Sequence, residues 1–332
     1  MLGRILRISS LLTIALAIVV AVWLVDLGAS LWIAIAIGLL LPLLIHALPL
    51  GVEFITGALI DRRPIARLGV IDALRVWLAE SWRSFVVFNI DQPWRANFPE
   101  RPIVNDAARP AVLLIPGYMC NRASWRRWVR EGLPRDWNVA TISLEPVYSV
   151  VEDYAEALHQ AIEKLRAESG AEKVTLVCHS MGGLAARALL RAKGHDAVAR
   201  VVTICTPHHG TVFARFAHGK NTRQMRRKSE YVQRLAESEE PVEFICFASQ
   251  HDNLVVPRES QVLASVEVVW FDKIGHLAMT ASDEVLTKLI QVVGRPRSES
   301  LASDLHKRSD RPSPSSSPLP SRPSTRPNPE TS

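Results

Sequence analysis

Six short, mostly apolar runs punctuate residues 111–271: AVLLI, WNVATISL, VTLVC, VARVVTIC, VEFICFAS and VEVVWF. Longer amphipathic patterns stand between or after them, among them RASWRRWVREGL, VEDYAEALHQAIEKLRAES, GGLAARALLRAKG and DEVLTKLIQVV. Strands this continuously apolar bury both faces, as in a parallel sheet covered by helices. The alternation predicts an α/β, doubly wound, mostly parallel sheet with helices on both faces and right-handed crossovers. Active groups in such sheets sit beyond the carboxyl ends of the strands. The residues that follow each run are therefore the ones to inspect.

After the third run comes HSMGG. Ser180 ends a strand and opens a helix, a sharp turn that pushes a serine out of the sheet when its neighbours are small. Gly182 and Gly183 meet that need, whereas Cys178 stands where a first glycine is usual. Asp252 follows the fifth run in QHDNLVVP, and His276 follows the sixth in DKIGH. A serine hydroxyl attacks poorly until a base takes its proton. Neutral imidazole serves near pH 7, and a carboxylate fixes its tautomer. The chain order Ser180, Asp252, His276 is the one this geometry uses. Asp272 is the rival carboxylate, but it lies close to His276 in sequence. Among the other histidines, His179 adjoins the serine, His251 precedes Asp252, and His208 and His209 in TPHHGT are expected to line the substrate pocket. An oxyanion needs backbone donors. The amides of Met181 and Tyr118 are expected to supply them, with Gly117 allowing close approach.

Upstream, residues 11–25 and 31–50 carry no charge apart from a titratable His46, and only DLGAS separates them. A bilayer crossing needs roughly 20 apolar residues, so the pair predicts an N-terminal two-helix transmembrane hairpin. Arg4 and Arg7 precede it, and Arg62, Arg63 and Arg67 follow it. The positive-inside rule then puts both ends, and the catalytic domain, in the cytoplasm. The rival is a cleaved signal peptide that exports the rest, which would make the domain periplasmic. His46 and Pro42 read as a functional membrane site or as a satisfied imidazole and a tolerated kink. In the next segment, Leu68, Ile71, Leu74, Leu78 and Trp82 recur at helical spacing. That helix either lies in the membrane interface or packs on the globular domain.

The net charge of +6 owes much to arginines flanking apolar segments and to a basic tail, and no nucleic-acid-binding motif appears. The four cysteines form no C-x-x-C pair, which disfavours zinc or redox chemistry and suits small core residues. The organisation expected is a hairpin over 1–60, an amphipathic connector over 61–100, a catalytic domain over 101–294 and a disordered Pro/Ser/Arg-rich tail over 295–332.

LLIPGY, VCHSMGG, TPHHGT, DNLVVP and IGH together resemble the α/β-hydrolase superfamily, in particular bacterial lipases and esterases of the triacylglycerol-lipase type. The resemblance spans roughly residues 111–293. It implies ester hydrolysis through an acyl-enzyme, without metal or organic cofactor, and a cap over the pocket at about 211–240. The hairpin and the tail lie outside the match, and a bacterial inner membrane is the expected location of the hairpin. Two departures stand out: Pro-Gly replaces the usual His-Gly of the oxyanion loop, and Cys178 replaces the first glycine of the elbow. Expected partners are an ester or lipid substrate and the bilayer, with no nucleic acid and no obligate protein partner. A thioesterase or acyltransferase on the same fold, or a non-catalytic membrane scaffold, are the rival functions.

Overall fold

Six parallel strands form one sheet in the order β2-β1-β3-β4-β5-β6: β1 (Ala111–Ile115), β2 (Asn138–Thr141), β3 (Val174–His179), β4 (Val198–Ile204), β5 (Glu243–Ser249) and β6 (Glu267–Phe271). The structure is a computed structural model that describes residues 1–61, 68–236 and 242–295. Arg62, Arg63 and Arg67, the end of the cap near residue 240, and the tail from 296 onward lie outside the described residues. All six apolar runs became strands. The inner strands β1 and β3 are buried along their whole length, whereas β6 at the edge is only half-covered.

Alternate residues of each inner strand feed two cores, as the pleat requires. Leu113, Leu176 and Val201 face one core with Leu158 and Ile162 of α5 (Tyr154–Ser169) and Leu184 of α6 (Met181–Lys193). Val112, Leu114, Val177 and Val202 face the other, with Trp125, Trp128 and Leu289 of α9 (Asp283–Val293). The segment expected as one helix near 122–133 is helical but irregular. It tightens to a 3-10 turn at Arg122–Trp125 and widens to a π turn at Trp128–Gly132. The two tryptophans fill the core at this point, with ring centroids 5.3 Å apart. Of the short helices that follow β4, α7 (Lys220–Gln224) is tied to Val147 O through Asn221 Nδ2 at 2.7 Å, and α8 (Glu230–Ala236) packs on α6, where Arg187 donates to Leu235 O at 2.7 Å.

The chain begins with two long helices, α1 (Leu2–Asp26) and α2 (Leu31–Ile60), joined by a four-residue turn. Ser30 caps α2 by accepting the amide of Ile33 at 3.4 Å. Both helices are long and apolar enough to be membrane spans or a signal sequence, and only 11% of the most apolar window of each is buried. Leu12 is 65% exposed and Leu39 76%. The ends away from the turn pack on the α/β unit: Leu2 and Leu6 form a cluster with Val147. His46 is satisfied by Ser84 Oγ at 3.0 Å and Asn89 Nδ2 at 2.6 Å, which fits its structural reading.

A third helix, α3 (Val70–Phe85), is turned inside out. Ile71, Leu74, Leu78 and Trp82 are exposed, while Glu80, Ser81, Arg83 and Ser84 are buried. The face that packs on the rest of the molecule is thus the polar one, and Glu80, Arg83 and Ser84 find partners there. Arg83 donates to Ser124 O at 2.8 Å and lies 3.6 Å from Asp91. Trp77 donates its indole N–H to Ala47 O on α2 at 2.7 Å. A π turn (Val86–Asp91) and the single turn α4 (Gln92–Trp94) continue the helix.

Candidate active site

Ser180 sits between β3 and α6 with φ 53° and ψ −124°, a strained conformation for a residue with a side chain. The local packing explains why small residues surround it. A Cβ on Gly182 would lie 2.7 Å from Pro116 O and 2.8 Å from Ile115 O. One on Gly183 would lie 2.2 Å from Thr206 Oγ1, and one on Gly117 would lie 2.9 Å from Ser180 Cβ. Thr206 Oγ1 donates to Ser180 O at 2.8 Å and ties the turn to the end of β4. Cys178 is accommodated because its side chain points into the core shared with Leu176 and Ile115, away from the turn.

Asp252 is fully buried after β5. Its Oδ1 accepts the amides of Leu254 and Val255, both at 2.7 Å, and its Oδ2 lies 2.8 Å from His276 Nδ1. Burial opposes charge on both partners. Against it, the imidazolium of His276 and the hydrogen bonds to Asp252 hold the carboxyl below its usual range. Burial likewise pushes His276 down, but Asp252, helped by Glu80 and Glu53, lifts its pKa above the ordinary imidazole value. The rival Asp272 is committed elsewhere, 3.1 Å from His251 Nδ1. His179 is buried with its ring centroid 4.7 Å from that of His276. Desolvation, then the charge of His276, drop its pKa to about 3, so it stays neutral.

Ser180 and His276 line one pocket of about 380 Å³, together with Glu53, Phe88, Tyr118 and Phe213. That size suits a small-molecule site. The Ser180 hydroxyl has no hydrogen bond among the described residues, so it is available to a bound substrate. Met181 opens α6, so its amide has no carbonyl within the helix to bond. The Tyr118 hydroxyl donates to His218 O at 2.6 Å, anchoring the loop whose amide is the second expected donor.

His208 and His209 do not line this pocket. His208 is fully buried, with Nε2 3.2 Å from Thr203 Oγ1 and 3.8 Å from Cys246 Sγ. His209 is exposed and pairs with Val262 O at 3.2 Å. The chain leaves β4 through Cys205 at φ 51°, and Pro207 is the TPHH residue that reaches the pocket wall. Cys205 Sγ, an oxygen of Asp252 and a ring nitrogen of His276 lie within 4.8 Å of one another. Burial, then the Asp252 charge, raise the thiol pKa far above its usual range. Cys205 is thus held as a neutral thiol beside the carboxylate.

Sequence reasoning missed two carboxylates at this site. Glu80 is fully buried and accepts the amides of Leu277 at 2.7 Å and Ala278 at 2.9 Å. Glu53 accepts from Asn253 Nδ2 at 2.7 Å, and Asn253 Oδ1 accepts the amide of His276 at 3.1 Å. Glu53 had left a trace. It is the single acidic residue between Asp26 and Asp61, and an isolated acid in an apolar run merits a functional reading.

A parallel sheet, a strained serine at the strand-to-helix turn, and acid and histidine loops at the carboxyl edge define the α/β-hydrolase fold of lipases and esterases. Residues 147–293 match the family described as PGAP1-like alpha/beta domain. Among solved structures, the mature form of the Bacillus licheniformis lipase BlEst2 is similar, with 16% identity and a TM-score of 0.52, covering 59% of this chain and 95% of that one. Aspergillus fumigatus lipase B is similar at 17% identity and a TM-score of 0.50, covering 57% of this chain and 54% of that one.

Proposed function

We propose that the chain is a membrane-anchored serine hydrolase that cleaves carboxylic esters, with lipid esters as its substrate class. One observation carries the reading: a strained serine shares a pocket with a histidine whose other ring nitrogen is held by a buried carboxylate. In this mechanism Ser180 Oγ attacks the acyl carbonyl while His276 Nε2 takes its proton. The amides of Met181 and Tyr118 stabilise the oxyanion, and His276 then protonates the leaving alcohol. Water, deprotonated by the same nitrogen, attacks the acyl-Ser180 ester and releases the acid. The mostly apolar pocket wall, with Phe88, Phe213 and Met225, suits an acyl chain, and the similar structures bear the name lipase.

The anchor reading draws support from how α1 and α2 engage the hydrolase unit. The Asp61 carboxylate at the end of α2 lies 3.3 Å from the Arg258 guanidinium and accepts the Arg258 amide at 3.1 Å, and both residues are buried. A leader cut near Ser30 would strip Leu2 and Leu6 from their cluster with Val147. The arginines flanking the hairpin support a catalytic domain on the cytoplasmic face of the inner membrane. The exposed apolar stripe of α3 lies in the interface of that membrane.

The test uses the full-length chain in detergent. A fluorophosphonate probe is expected to label the wild type and to leave Ser180→Ala unlabelled. Folded wild-type protein that neither reacts with the probe nor hydrolyses a panel of esters ends the reading.

A pH profile checks the acid–base assignment. His276 must be neutral to accept the proton, and its pKa is held above the usual value of about 6.5. kcat/KM is therefore expected to fall as pH drops, along an acid limb centred above 6.5. A limb centred below that value counts against the Asp252–His276 pair as the base.

A further inference from the structure

The loop that carries His276 is held from outside the sheet. Helix α3 touches it at three successive points. Asp72 lies 2.7 Å from Lys273 Nζ. Glu80 takes the amides of Leu277 and Ala278. Arg83 Nη2 donates to Thr280 Oγ1 at 3.3 Å. Gly275 lies so close that a Cβ there would be 2.5 Å from Glu80 Oε2. The middle contact is the telling one. A fully buried carboxylate is costly unless its oxygens are filled, and here they are filled by the two consecutive amides that follow His276. Those bonds fix the direction in which the backbone leaves the histidine. On the other side, Glu53 of α2 holds Asn253, which holds the amide of His276.

We infer that Glu80 is a positioning residue for His276, so that the N-terminal helices complete the active site as well as anchoring it. This rests on the triad reading above. Glu80 touches neither the reacting serine nor Asp252 by hydrogen bond. It acts through the backbone that orients the imidazole. Burial raises the pKa of its own carboxyl and the amides of Leu277 and Ala278 oppose that rise, and in its ionised form its charge also supports the imidazolium. The charged and titratable groups facing His276 are Asp252, Glu80, Glu53, His179 and the Cys205 thiol, with Arg83 next to Glu80.

The experiment measures ester hydrolysis by the full-length chain in detergent across pH, for the wild type, Glu80→Gln and Glu80→Asp. Glu80→Gln keeps the size and removes the charge. Its kcat is expected to fall roughly 10- to 100-fold, the scale of a mispositioned catalytic group, with KM changed less than about twofold because the pocket wall is intact. Its acid limb is expected at lower pH than in the wild type, because one anion supporting the imidazolium is gone. Glu80→Asp keeps the charge and shortens the reach. Its kcat is expected to fall with the acid limb in place, and it stands in for the test if the glutamine variant does not fold. Wild-type kcat and an unmoved acid limb in the folded variants overturn the inference. A wild type that the fluorophosphonate does not label at Ser180 instead overturns the proposed function, so the two failures are distinguishable.

Discussion

Asp252→Asn is expected to leave the fold in place and to lower kcat by about four orders of magnitude, the scale seen when a triad histidine is held in the wrong tautomer. The geometry gives the reason. Oδ1 of Asp252 already accepts two backbone amides, and only Oδ2 faces His276. In asparagine the carbonyl oxygen stays with the two amides, because an NH₂ there would meet two donors. The NH₂ group then turns to His276 Nδ1, which must accept. The ring proton moves to Nε2, the nitrogen that has to receive the serine proton. Steady-state kinetics with a thermal melt would show this. A drop of less than tenfold in a variant with a wild-type melt removes Asp252 from the machinery.

Gly182→Ala is expected to be the most damaging single methyl at the elbow. Its Cβ would press on two carbonyl oxygens, those of Pro116 and Ile115, at the end of the buried strand β1. Backbone in the middle of a sheet cannot retreat as a side chain can. Overpacking of this kind costs about 1–3 kcal/mol, and each kcal/mol lowers Tm by about 2–4 °C in a domain of this size. The same shift displaces Ser180, so fluorophosphonate labelling should slow along with the loss of Tm. Gly69→Ala is the control: nothing lies within 4 Å of that position and its φ is −63°. Equal behaviour of the two variants would show that the elbow is not sterically tight.

The sheet was legible because each strand is a separate apolar run and each crossover helix has its own period. The apolar residues of α5 at helical spacing, Tyr154, Leu158, Ile162 and Leu165, are its buried face. Of the two candidate carboxylates, Asp252 lies 2.8 Å from His276 Nδ1 and Asp272 lies 3.1 Å from His251 Nδ1. TPHHGT misled because sequence places residues at a strand end without telling which way they turn. His208 turns back under the sheet to Thr203. Glu80 was invisible for another reason. Its partners are backbone amides 197 and 198 positions away, and amides carry no sequence signature. The stripe of α3 was visible at once, but apolar periodicity alone does not say whether water, lipid or protein covers it. The buried polar face opposite shows that the described residues of this chain do not cover it.

One side of α2 has a consequence for kinetics. Glu53 looks into the pocket, while Val52 and Ile55 beside it are 63% and 65% exposed. In the anchored reading, a single helix wall separates the reaction chamber from the acyl phase, and the enzyme samples its substrate by lateral diffusion in two dimensions. Turnover should then follow the mole fraction of ester among the surrounding amphiphiles. Diluting the substrate with inert detergent at fixed bulk molarity should slow it, whereas adding buffer should not.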